Sequence, residues 1–262
     1  MELQGTVAVV TGASSGIGRA TALAFARRGS LVVAAARRQD RLDDLVAFIR
    51  GRGGAAEAQH CDVTRASEIA ELARGVLDRH GRCDVLVNNA GIRAGVPFLD
   101  LSKDEVQALI DTNLMAVIWG TRAFLPTMLA AGSGHIVNVS SLAGRHAVPG
   151  AALYSATKHA VAAFSESMHH ETAPRGVLVT SVNPGFVDTE GFPQGDLPDA
   201  IVMEATTVAR AIARAVERGR APQISVPRSA GVLEFGRVLM PGPYRWLVGR
   251  AVRRHSTGRL SP

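Results

Sequence analysis

The sequence predicts a doubly wound α/β fold, a parallel sheet of about seven strands with helices on both faces. Three observations carry this expectation. Short β-branched runs alternate along the chain with longer stretches whose apolar residues recur at three- and four-residue spacing. The runs lack strict polar–apolar alternation, as strands buried on both faces do. Residues unusual for a core cluster just past the carboxyl ends of the runs, where open parallel sheets bind their ligands.

The runs span 6–10, 31–35, 85–88, 135–139, 177–183 and 223–226. The helical patterns span 17–28, 41–52, 67–80, 103–131, 154–173 and 207–218. After the first run comes Thr11-Gly12-Ala13-Ser14-Ser15-Gly16-Ile17-Gly18, leading into a helix. Glycines let the backbone turn tightly and approach a ligand, and a helix N-terminus offers free N–H groups to a pyrophosphate. Gly12, Ser14, Ser15, Gly16, Ile17 and Gly18 are therefore candidate cofactor residues. The spacing is G-x-x-x-G-x-G, and a plain tight turn accounts for such a segment alone about as well.

The second run decides between cofactors. NAD-binding sites of this layout usually end that strand with an acid for the ribose 2′-hydroxyl. Here the position is Ala36, followed by Arg37 and Arg38. A guanidinium binds a 2′-phosphate through paired hydrogen bonds and stacks on adenine. The expected cofactor is NADP(H).

Tyr154 and Lys158 stand four residues apart, on one face of a predicted helix. A tyrosine hydroxyl titrates near 10, too high for efficient proton exchange at neutrality, and a nearby ammonium lowers it. Ser141 ends the fourth run and offers a donor to a carbonyl oxygen. Ser140 points the other way on strand alternation. Asn113 is an amide within an apolar helical pattern and needs buried partners. His146, just past Ser141, lies where a substrate enters.

Together these residues resemble the short-chain dehydrogenase/reductase family in its short form, over roughly residues 5–227. The shared motifs are the glycine-rich turn, Asp62-Val63, Asn88-Asn89-Ala90-Gly91, Asn113, Ser141, Tyr154-x-x-x-Lys158, and Pro184-Gly185 followed by Thr189. The resemblance implies a Rossmann-type fold and hydride transfer between a nicotinamide and a carbonyl or secondary alcohol. It implies that Tyr154 is the general acid/base, that Lys158 lowers its pKa and binds ribose, that Ser141 polarises the carbonyl, and that Asn113 supports a water-mediated proton relay. It places Asp62 and Val63 on adenine, and Pro184, Gly185, Val187 and Thr189 along the nicotinamide. It has Asn89, with Ala90 and Gly91, hold the central strand and cofactor. No metal is implied. A homodimer or homotetramer and a small-molecule carbonyl or alcohol substrate follow from the same resemblance.

Charge narrows the alternatives. The net charge of +6 comes from 29 basic and 23 acidic residues. Residues 1–200 hold 18 basic and 20 acidic residues, whereas 201–262 hold 11 arginines and three glutamates. The body is close to neutral, which argues against a nucleic-acid-binding core. The two cysteines make neither a disulfide framework nor a metal site. No basic leader and no uninterrupted apolar run of spanning length is present, so a cytoplasmic setting is expected.

The chain is expected to divide into a catalytic domain, 1–228, and a basic, apolar extension, 229–262. The family's acyl-carrier-protein ketoreductases usually end in a glycine-rich strand with an acid. Here Pro227-Arg228 and a further apolar, arginine-rich stretch follow instead, which argues against the housekeeping fatty-acid reductase and its tetramer interface. Around Pro241-Gly242-Pro243, residues 231–254 predict two short amphipathic helices. These would cover the substrate cleft, pack on another subunit, or make a weak membrane-surface contact. Residues 190–204 read as a substrate-side loop. The extra apolar segment suggests an apolar substrate. Three rival functions are a nucleotide-sensing protein on the same fold, a peripheral membrane protein with little turnover, and a sugar-nucleotide epimerase or dehydratase of the extended family, for whose substrate domain the chain is short.

Overall fold

A computed structural model describes residues 1–93, 96–192 and 201–227, with isolated positions 229 and 242. Seven parallel strands form one sheet: β1 (Val7–Thr11), β2 (Leu31–Ala36), β3 (Ala55–His60), β4 (Val85–Asn88), β5 (Gly134–Val139), β6 (Val177–Pro184) and β7 (Gln223–Val226). Their spatial order is β3-β2-β1-β4-β5-β6-β7, so the chain direction across the sheet reverses between β1 and β4. That reversal opens a crevice beyond the strand ends.

The helices are α1 (Gly16–Ala26), α2 (Gln39–Arg50), α3 (Ala66–His80), α4 (Lys103–Ile110), α5 (Ala116–Ala131), α6 (Ala152–Thr172) and α7 (Ala205–Glu217). One core layer joins Phe25 of α1, Leu42 and Leu45 of α2 and Ile212 of α7 to one face of the sheet. The other joins Ile69 and Leu72 of α3 and Phe124 and Met128 of α5 to the opposite face. The central strands β1, β4 and β5 are buried throughout, which explains their unbroken apolar character.

Two features depart from the sequence reading. β3 is a strand that no β-branched run announces: its sequence is Ala-Ala-Glu-Ala-Gln-His. It lies at the sheet edge and forms by pairing along its whole length with β2, so tertiary pairing overrides weak propensity. The long pattern at 103–131 is one helical stretch interrupted by a π-helical turn, Asp111–Met115. Lys103–Ala131 has the length and composition of a membrane-crossing helix even though no uninterrupted apolar run announces it. Its Phe124 and Met128 nonetheless pack in the core.

A buried polar chain ties the sheet to α6. Asn88 donates to Asn138 at 2.9 Å, Asn138 donates to Ser165 at 2.9 Å, and Ser165 donates to the Val161 carbonyl at 2.6 Å. Three strand and helix side chains thereby share one satisfied network that sets α6 against β4 and β5. The sequence-predicted extension lies outside the described residues, apart from positions 229 and 242.

Candidate active site

The glycine-rich turn is built by backbone crowding. A Cβ on Gly18 would stand 2.2 Å from the Gly12 carbonyl oxygen and 2.5 Å from Asn89 Nδ2. A Cβ on Gly12, whose φ is 65°, would stand 2.9 Å from the Ala90 Cα. Only glycine permits so close an approach of the turn to the end of β4. Asn89 closes the approach: Nδ2 donates to the Thr11 carbonyl at 2.9 Å, and its own N–H donates to Thr11 Oγ1 at 3.0 Å.

A cleft of about 450 Å³ opens beyond the strand ends. It is lined by every sequence-predicted cofactor residue except Gly18, which packs behind the turn and touches no cleft surface. Gly18 is crowded against the Gly12 carbonyl and Asn89. Arg38 reaches back over the turn, its Nη2 donating to Ser15 Oγ at 2.9 Å and Ser14 Oγ at 3.2 Å. Arg37 is exposed beside it. Asp62 receives hydrogen bonds from the Thr64 N–H at 3.0 Å and hydroxyl at 2.8 Å. Burial raises its pKa, but these bonds, with Arg37 and Arg65, hold the carboxyl below its ordinary value. The cleft's Cys61 is no nucleophile, because burial pushes its thiol up to about 12.

The cleft ends at Ser141, Tyr154 and Lys158. Tyr154 and Lys158 share one face of α6, with Lys158 Nζ 5.8 Å from the Tyr154 ring centroid. Lys158 is 3% exposed, and its Nζ donates to the Val139 carbonyl at 2.9 Å. Burial pushes its pKa down to about 8. Ser140, which also lines the cleft, turns its hydroxyl to α6 and donates to the Lys158 carbonyl at 2.8 Å. Ser141 accepts from the Ala143 N–H at 3.1 Å and is hydrogen-bonded to the Tyr154 hydroxyl.

The expected depression of the Tyr154 pKa by Lys158 is not the balance found here. Burial raises the hydroxyl's pKa above its ordinary value, and outweighs the lowering by Ser141 and by the charge of Arg93. The Lys158 ammonium is turned to a β5 carbonyl and is not among the groups that lower it.

Asn113 does not line the cleft. It sits in the π-helical turn, fully buried, and grips the backbone of Ile92 from both sides. Its Oδ1 accepts from the Ile92 N–H at 2.8 Å and its Nδ2 donates to the Ile92 carbonyl at 2.8 Å. Such local re-winding within a helix is common at functional sites, and here an inward-facing amide meets a loop backbone. Asn113 thus positions the segment after β4, which lies between the cofactor cleft and Arg93.

A second cavity of about 390 Å³ adjoins the first. The two share Ser141, Tyr154, Pro184, Gly185 and Phe192. Phe98, Leu142, Val148, Phe186 and Phe192 give it an apolar wall, and Arg93 and His146 also line it. Phe98 and Phe186 are exposed at 60% and 49%, an apolar rim of the kind that marks a binding mouth. The Tyr154 and Phe192 ring centroids are 6.0 Å apart. Phe98, Phe186 and Phe192 escape sequence reading, because isolated aromatics in loops carry no periodicity.

An open parallel sheet with a glycine-rich turn at its switch point and a tyrosine–lysine helix beside it defines a dinucleotide-binding oxidoreductase fold. The family model described as short chain dehydrogenase matches residues 6–195. A 3-oxoacyl-[acyl-carrier-protein] reductase from Synechocystis sp. is 44% identical over 189 residues, 72% of this chain and 76% of that protein. A Burkholderia phymatum short chain dehydrogenase/reductase, solved in complex with NAD, superposes with a TM-score of 0.81 at 29% identity, covering 90% of this chain and 94% of that one. A metagenomic short-chain oxidoreductase, solved in complex with NADP, gives 0.76 at 37% identity, covering 86% and 97%. The chain belongs to the short-chain dehydrogenase/reductase family, as an oxidoreductase.

Proposed function

We propose that this chain is an NADP(H)-dependent oxidoreductase that interconverts a carbonyl and a secondary alcohol on an apolar small molecule. The observation that carries the reading is that Ser141 and Tyr154 stand on the wall shared by two cavities, one glycine-rich and the more polar, the other more apolar. The first fits a dinucleotide: its glycines let the turn close tightly against the end of β4, and Arg37 and Arg38 follow Ala36, the position where an acid would select NAD. The similar proteins solved with NADP and with NAD are compatible with either cofactor, so the arginines decide.

When bound, NADP(H) supplies or accepts the hydride. The Ser141 hydroxyl donates to the carbonyl oxygen and stabilises charge developing there. Tyr154 gives its phenolic proton to that oxygen during reduction, or takes one from the alcohol during oxidation. The tyrosine hydroxyl is protonated at neutral pH, the form reduction needs. Lys158, held to β5 through the Val139 carbonyl, binds the nicotinamide ribose. Phe98, Phe186 and Phe192 bury the substrate's apolar part and exclude water.

The match to the Synechocystis reductase covers 189 residues, so the substrate is argued from the cavity and not from that protein's name. The test is a panel of ketones and secondary alcohols with NADPH and NADH in parallel. Tyr154→Phe is expected to lower kcat by about 10²–10⁴-fold and leave NADPH affinity within about twofold. Full turnover by that variant, or a preference for NADH, overturns the reading.

A further inference from the structure

Arg38 and Glu190 meet across the mouth of the nucleotide cleft. Arg38 precedes α2, and Glu190 follows Thr189 on the segment that leaves β6. Arg38 spends two edges of its guanidinium differently. Nη2 and Nε face the turn, donating to Ser15 at 2.9 Å and to Ser14 at 3.2 and 3.3 Å. Nη1 donates to Glu190 Oε1 at 2.5 Å.

The segment holding Glu190 is pinned. The Phe192 N–H donates to the Thr189 carbonyl at 2.9 Å, closing a short turn around Glu190. Thr189 lies against the glycine turn, where a Cβ on Gly16 would meet its Cγ2 at 3.0 Å. Val187 is bridged to Met203. The carboxylate is thus delivered to Arg38 by a folded turn. Arg38 holds the Glu190 carboxyl below its ordinary pKa, so it is an anion at neutrality.

We propose that Glu190 is a cofactor-specificity residue: its carboxylate occupies on Arg38 the place of the ribose 2′-phosphate and competes with it. The inference rests on the reading that this arginine receives that phosphate. A dianionic phosphate outbids a single carboxylate for a guanidinium, but it must break the Arg38–Glu190 bond and then sit beside the displaced anion. A cofactor without the phosphate breaks nothing. Glu190 therefore weakens NADP(H) binding selectively and narrows the enzyme's preference for it. Sequence spacing gives no hint of this, since the two residues are 152 positions apart.

The experiment compares the wild-type chain with Glu190→Gln, which keeps the shape and removes the charge. Dissociation constants are measured for NADPH and NADH by nicotinamide fluorescence, and for adenosine 2′,5′-bisphosphate and adenosine 5′-monophosphate by calorimetry. Glu190→Gln is expected to tighten NADPH and the bisphosphate about two- to tenfold and leave NADH and the monophosphate within about twofold. The gain is expected to shrink as salt rises. Unchanged or weaker NADPH binding overturns the proposal, and so does equal tightening of all four ligands, which would mark a general effect of the loop. If Arg38→Ala leaves wild-type NADPH affinity intact, the reading of Arg38 as the phosphate site fails first, and this inference fails with it.

Discussion

The two cavities that meet at Tyr154 are built by different means. The cofactor cleft is made of strand ends and backbone: glycines crowded against carbonyls, Asn89 sewn to Thr11, Asn113 clasping Ile92. The neighbouring cavity is made of side chains from separate loops, with Phe98, Val148 and Phe186 coming from three different connections. Backbone geometry tolerates almost no substitution, whereas loop side chains change without disturbing the sheet. One wall can therefore serve a fixed cofactor while the other is refitted to a substrate.

Several substitutions break this contrast if it is wrong. The largest effect is expected on the cofactor side. Gly18→Ala forces a methyl to 2.2 Å from the Gly12 carbonyl oxygen, a backbone contact that cannot yield. It is expected to abolish NADPH binding and to lower stability by about 2–4 kcal/mol, read as a fall in melting temperature. Wild-type melting and affinity would refute the crowding argument.

Next in size is Arg38→Ala, which removes charge-assisted bonds at the turn. It is expected to weaken NADPH about 10- to 100-fold in a fluorescence titration and leave NADH within about threefold. Equal losses for both cofactors would mean that Arg38 only shapes the turn.

On the substrate side the same perturbation should be milder. Phe186→Ala is expected to raise KM for apolar ketones about three- to tenfold, with NADPH affinity unchanged. A change in cofactor affinity instead would show that the two cavities are not separable.

The smallest effect concerns Lys158, which belongs to both sides. Its native pKa of about 8 lies below the ordinary lysine value, so between pH 8 and about 10.4 the unfolded chain binds more protons than the native one. Stability should therefore rise with pH across that window, until alkaline titration of other groups intervenes. Lys158→Met should remove this dependence and raise the melting temperature at pH 7 by about 2–6 °C, while turnover falls. A melting temperature that drops in the variant would mean that the bond to Val139 outweighs the cost of burying the charge.

How much of this was legible beforehand follows the same divide. The strand–helix alternation, the turn and the Tyr154–Lys158 pair could be read because each is a local pattern, set by spacing along the chain. β3 could not, since Ala55–His60 carries no strand propensity and is ordered by β2. The cofactor preference rested on Arg37 and Arg38, but which of them turns to the serines depended on the path of the chain after β2. Nor does spacing reveal that Gly18 is crowded against the Gly12 carbonyl, since that contact depends on how the turn closes on itself.

What the sequence alone determined is therefore the architecture and the kinds of residue at each strand end, because hydrophobic periodicity and turn chemistry act over a few residues. What only the tertiary structure decided is everything that joins distant segments. Asn113 reaches the backbone of Ile92, Arg38 is bonded to Glu190, and three loop aromatics enclose one cavity. The balance of charges at Tyr154 belongs to the same class. Burial and long-range electrostatics depend on where the folded chain excludes water, and no local pattern encodes that.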